Sequence, residues 1–108
     1  MERKDLMELA AKAADIIGDP LDAVILYGSY ARGTQEADSD VDIALILNSK
    51  VDTQTLDRLQ DFLTDMDLKY NKLFSIVDID AERFARLQNV LPFYQNIQTE
   101  GVVLWKTA

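Results

Sequence analysis

Val24-Ile25-Leu26-Tyr27-Gly28-Ser29-Tyr30-Ala31-Arg32-Gly33, followed after a polar loop by Ser39-Asp40-Val41-Asp42, is the stretch that decides how this chain is read. The apolar run into Tyr27 predicts a short buried strand that Gly28 ends. Ten residues separate Ser29 from Asp40. Val41 to Leu47 is almost wholly apolar and predicts a second strand, closed by Asn48-Ser49-Lys50. Alternate residues of a strand share a face, so Asp40 and Asp42 are expected to project together at its start. Two carboxylates side by side are costly unless a cation or hydrogen bonds compensate them. A divalent ion removes the repulsion, and Mg²⁺ accepts such a pair together with phosphate oxygens and water.

The turn upstream supplies the other half of a phosphate site. A glycine permits backbone conformations, and close approaches, that a side chain blocks. Exposed N–H groups at a turn, with the Ser29 hydroxyl, suit phosphate oxygens. A helical turn over Tyr30 to Gln35 adds its dipole, and Gly33 punctuates it. Arg32 offers a planar fork to a triphosphate or to the motif's own carboxylates. Ser39 is placed to cap or orient the loop before Asp40. The candidate set is therefore Asp40 and Asp42 for metal and catalysis, with Gly28, Ser29, Arg32 and Ser39 for nucleotide.

Composition narrows the chemistry. The 108 residues are 48% hydrophobic, enough for one domain over 1–108 with its own core. There is no cysteine and no histidine. Thiolate zinc sites, disulfides, Ser-His-Asp hydrolysis and His-ligated metals are excluded. Any metal must sit among oxygen ligands, which points to Mg²⁺ or Mn²⁺. The net charge of -8 argues against nucleic acid as a direct ligand and is compatible with a basic protein partner. No apolar run approaches the roughly 20 residues of a membrane span, and no secretory signal opens the chain, so a cytoplasmic location is expected.

Further along, residues 2–18 predict an amphipathic helix stopped by Gly18 and Pro20. Thr53 to about Asp67 predicts another, with Asp52 or Thr53 as its cap. Leu73–Ile79 reads as a third strand, and Ala81 to about Leu91 as a helix that Pro92 breaks or restarts. Phe93 to Gln98 adds a further helical turn, and Val102–Trp105 a last short strand. The order predicts an α/β (α+β) fold: a small mixed sheet of about four strands packed with helices. Tyr27, Tyr30, Tyr70 and Tyr94 are expected mainly in the core or at its rim, and Trp105 with Phe93 offers an alternative partner-facing patch. The charges from Asp57 to Asp67 read as a solvated helix face.

Gly28-Ser29-x-Ala31-Arg32-Gly33 with Ser39-Asp40-x-Asp42 resembles the signature of the polymerase-β-like nucleotidyltransferase superfamily, and within it the minimal nucleotidyltransferase (MNT) branch. Leu91-Pro92-Phe93-Tyr94-Gln95-Asn96-Ile97 and Glu100 to Trp105 also look like the ending of such proteins. The resemblance implies that the Gly-Ser turn holds the triphosphate and that the Asp pair binds Mg²⁺ or Mn²⁺. It implies transfer of NMP, commonly AMP from ATP, to a hydroxyl. It further implies an antitoxin whose acceptor lies on a HEPN-type toxin. A third carboxylate, on a later strand, is implied as the group assisting the attacking hydroxyl. Sliding the family pattern onto Phe74 to Asp80 puts that acid at Ser75, where this chain has none. Asp78 is the substitute if strand geometry swings it toward Asp40 and Asp42; its other reading is a cap on the helix from Ala81. Two alternatives follow: an MNT-fold antitoxin that masks its partner by binding alone, and a small-molecule nucleotidyltransferase, for which one short domain leaves little acceptor wall.

Overall fold

A computed structural model of the chain describes residues 1–107. Helix α1 (Arg3–Ile17) buries Leu6, Leu9, Ala10, Ala13 and Ile17 along one stripe and ends at Gly18, whose φ of 76° only glycine adopts without strain. The chain then enters β1 (Leu21–Tyr27), the five-residue helix α2 (Gly28–Arg32) and β2 (Val41–Leu47). Helix α3 (Thr53–Tyr70) crosses back to β3 (Phe74–Asp80). Helices α4 (Ala81–Leu87) and α5 (Pro92–Glu100) precede β4 (Val102–Lys106).

The four strands lie in the order β3-β2-β1-β4. β1 is antiparallel to both β2 and β4, while β2 and β3 are parallel. A parallel pair needs a crossover, and α3 provides it. The sheet is therefore mixed, and α1 and α3 cover one face. There Leu6, Leu9 and Ala13 meet Val24, Leu26, Val41, Ile43, Leu45 and Phe74, with Leu59 and Leu63 from α3. The opposite face is thinner: Ile25, Ala44, Ile46, Ile79 and Ile97 pack with Phe84 and Tyr94 under α4 and α5.

Several boundaries depart from the sequence expectation for physical reasons. α2 starts at Gly28 itself, two residues earlier than expected. α3 runs to Tyr70, because the stop is Asn71 in the left-handed region (φ 51°). α4 stops at Leu87, well before Pro92; Leu91 is extended (φ -86°, ψ 126°), as residues before proline prefer, and Pro92 opens a separate helix. Arg58 lies on the exposed face of α3, as the charge pattern implies, and also donates to the Ile16 carbonyl at 3.1 Å, tying α3 to the end of α1.

Candidate active site

Strand register builds the site. Tyr27 on β1 stands opposite Asp42 on β2, and Asp42 stands opposite Ser75 on β3. Directly paired residues share a face, so a phenol, a carboxylate and a hydroxyl form one row across three strands. The row lies on the α4/α5 side, continuing the face of Ala44 and Ile46. Asp40 precedes β2 in the loop and is exposed.

Gly28 is the tightest joint in this row. Its φ is 74°, and a Cβ there would collide with Oδ2 of Asp42 and come within 3.1 Å of Asp42 Cγ. The Asp42 carboxylate is thus seated against the bare backbone of the turn that ends β1. Glycine is needed on two counts: the positive φ, and the room for the carboxylate. The turn continues into α2, whose N-terminus receives no side-chain cap. The N–H groups of a first helical turn have no intrahelical acceptor, so the turn at Gly28 and Ser29 offers backbone donors. At the other end, the Ser29 carbonyl accepts from Gly33 and Thr34 N–H, the latter at 3.0 Å, and Gly33 closes α2 at φ 74°.

The charges are coupled. Partial burial pushes the Asp42 carboxyl above its ordinary value; Asp40 pushes it further and Arg32 opposes both. Burial, and then Asp42, raise the Tyr27 phenol, which stays neutral. Arg32 Nη1 lies 3.4 Å from Glu100 Oε2 at the end of α5, joining two segments 68 residues apart. Glu100 had no sequence signal as a neighbour of the motif.

Ser39 has a local duty. Its Oγ accepts from the Glu36 N–H at 2.8 Å, while its own N–H donates to the Glu36 carbonyl at 3.1 Å. The pair closes the loop that delivers Asp40. Lys72 Nζ donates to the Ala37 carbonyl and sits 5.8 Å from the Tyr30 ring centroid, bracing the same loop.

Asp78 does not join the row. It pairs with Leu45, three positions further along β2 from Asp42, and occupies the face opposite to Ser75. It lines a groove of about 350 Å³ with Leu47, Lys50, Val51, Leu56 and Asp80, at the far end of the sheet. The strand register thus does not bring Asp78 beside Asp40 and Asp42. Asp78 does not cap α4 either: Asp80 does, accepting from the Arg83 N–H at 2.9 Å. Trp105 and Phe93 also part company. Trp105 pairs with Val24 and packs on the α1 side, whereas Phe93 packs against Tyr27, their ring centroids 5.5 Å apart.

Among the described residues no three His, Cys, Asp or Glu side chains converge as a metal cage. Asp40 and Asp42 alone fit a hard divalent cation that is also held by phosphate oxygens and water, the usual partial protein coordination of Mg²⁺. A cation would offset the burial, and then the Asp40 charge, that together disfavour the ionised Asp42 carboxylate.

A mixed four-stranded sheet whose Gly-Ser turn packs on Asp42 of β2, with Asp40 just before that strand, has the arrangement of a nucleotidyltransferase domain. The chain belongs to the family described as polymerase beta, nucleotidyltransferase, whose model matches residues 4–108. It is 35% identical over 82 residues to a Methanocaldococcus jannaschii protein provisionally named a protein adenylyltransferase, covering 76% of each chain. It is 31% identical over 87 residues to the protein adenylyltransferase MntA of Shewanella oneidensis, covering 81% of this chain but 55% of that one. A chain in a toxin–antitoxin crystal structure with AMP-PNP shares the fold at TM-score 0.58 and 21% identity, covering 94% of this chain and 73% of that one. A chain in the structure of a tri-AMPylated S. oneidensis HEPN toxin with its MNT antitoxin superposes at TM-score 0.55 and 19% identity, covering 98% and 74%.

Proposed function

We propose that this chain transfers AMP from the magnesium or manganese complex of ATP to a hydroxyl of a partner protein, and that the partner is a HEPN-type toxin in the cytoplasm, silenced by the modification. The observation that carries this reading is the seating of Asp42 against Gly28 with Asp40 beside it. In the transfer, the acceptor oxygen bonds to the α-phosphorus while the bond to the β-phosphate's bridging oxygen breaks. Pyrophosphate leaves and the acceptor proton passes to solvent. A divalent cation held by Asp40 and Asp42 would supply charge neutralisation for this displacement. The backbone N–H groups of the Gly28-Ser29 turn and the Arg32 guanidinium would hold the triphosphate. The MntA relative and the AMPylated toxin complex support both the nucleotide and the partner. In the test, α-labelled ATP, Mg²⁺ and a co-expressed HEPN partner are incubated with the chain. Label is expected on the partner with the wild type and not with Asp40→Asn/Asp42→Asn.

Two observations favour a second reading. Ser75 stands beside Asp42 where the resemblance implies an acid, and the chain carries a net charge of -8 that suits masking a basic partner. In that reading the chain is an antitoxin acting by contact alone. The same double variant decides: if complex formation persists while protection of the partner is lost, masking is wrong. Full protection without any label on the partner establishes it.

A further inference from the structure

Helix α5 runs along the candidate site and touches it at both ends. Near its C-terminus Glu100 meets Arg32 of α2. Near its N-terminus Phe93 packs with Tyr27 in a T-shaped pair, ring planes 86° apart, and Tyr27 is the strand partner of Asp42. Paired residues on adjacent strands hold their Cβ atoms about 5 Å apart. Phe93 is therefore one aromatic ring removed from the Asp42 carboxylate.

Its surroundings hold it still. Pro92 fixes the first residue of α5, and Phe93 follows it. Besides Tyr27, the ring contacts Tyr94 at 6.0 Å between centroids. Tyr94 is itself set by Phe84 at 5.6 Å and accepts a hydrogen bond from Arg83 Nε at 3.2 Å. Yet Phe93 remains 44% exposed. A fixed, half-bare aromatic ring beside a phosphate and metal site is what base stacking requires.

We propose that Phe93 is the platform on which the nucleobase of the bound nucleotide stacks. This rests on the nucleotide-transfer reading of the site and adds to it the residue that holds the base. With the triphosphate at the Gly28-Ser29 turn, Phe93, packed on the adjacent Tyr27 and partly exposed, is an aromatic ring within reach of the base. Stacking accepts any base, because each has a π face, so Phe93 provides affinity and leaves discrimination among bases to other groups.

The experiment compares binding of ATP, GTP and inorganic triphosphate, each with Mg²⁺, to the full chain by calorimetry. Wild type is expected to bind both nucleotides more tightly than triphosphate. Phe93→Ala is expected to weaken ATP and GTP about tenfold, within the range that loss of one base stack produces. Triphosphate binding should not change. Phe93→Trp should retain nucleotide affinity, and Phe93→Leu, which keeps apolar bulk without a π face, should behave like Phe93→Ala. Equal ATP affinity in wild type and Phe93→Ala overturns the platform, as does an equal loss for triphosphate. Unchanged ATP binding with slower transfer to the partner also overturns it, since Phe93 would then serve the acceptor. If wild type binds neither ATP nor triphosphate, the nucleotide-transfer reading itself falls, and the platform with it.

Discussion

Under α1 and α3 the sheet buries Val24, Leu26, Val41, Ile43 and Leu45 among apolar side chains, whereas the face under α4 and α5 ends in Tyr27, Asp42 and Ser75. The strands are the same; only the parity of the residue differs. The first face excludes water over a broad area and supplies most of the folding free energy that apolar burial contributes. The second is covered by two short helices, and its row of polar groups stays half-open to ligand. The lesson is a division of labour: a chain this small keeps one side of its sheet for stability and the end of the other for charge. Substitutions should separate the two.

The largest effect on the first face is expected from Leu26→Ala. Leu26 is fully buried, and its truncation should cost about 2–5 kcal/mol in denaturant unfolding, through lost burial and the cavity left behind. Nucleotide affinity per folded molecule should be retained. Stability within 1 kcal/mol of wild type would break the comparison.

Next comes Gly28→Ala. The added methyl collides with Asp42 and forces a positive φ on alanine. Transfer should fall about a hundredfold, about 2.7 kcal/mol of lost transition-state stabilisation, as the carboxylate leaves its seat. Unfolding should cost less than for Leu26→Ala. Transfer assays beside melting curves check both halves.

Ser75→Asp sharpens the contrast from the other direction. A like charge opposite Asp42 should destabilise the metal-free protein by about 1 kcal/mol near neutral pH. It should also raise the Asp42 carboxyl further above the usual range. A raised native carboxyl binds its proton more tightly than the unfolded chain does. The extra stability is therefore present at low pH and lost as pH rises through the raised value. Added Mg²⁺ should restore the loss and speed transfer; melts with and without Mg²⁺ across pH test this. A variant whose pH profile and Mg²⁺ response match wild type would show that Ser75 does not face the site.

The smallest change is expected from Asp78→Asn, within about 0.5 kcal/mol in stability and without effect on transfer, because Asp78 is exposed on the other face. Any tenfold loss of transfer there would undo the assignment of faces.

Much of this arrangement is visible before any coordinates. β2 occupies Val41–Leu47 as its apolar run implies, and Asp52 caps α3 through the Thr55 N–H at 2.7 Å. The close sequence spacing of Gly28, Asp40 and Asp42 marks the site because all three are set by one hairpin-like pair of strands. What the sequence hides is long-range. Whether Ser75 or Asp78 shares a face with Asp42 depends on the β2–β3 register, which α3 and its turn fix across a long crossover. The pairing of Arg32 with Glu100, and the separation of Trp105 from Phe93, arise from where α5 crosses the sheet. The end of α3 hides in a left-handed Asn71, a conformation that no composition rule assigns.

The seat that Gly28 gives Asp42 has an entropic side. A carboxylate packed on backbone has lost some rotamer freedom already, so capturing an ion costs it less disorder than it would cost a free side chain. The same confinement makes the site intolerant of length. Asp42→Glu conserves the charge but shifts the carboxylate by one methylene relative to its contact with Gly28, so reach matters here as well as sign.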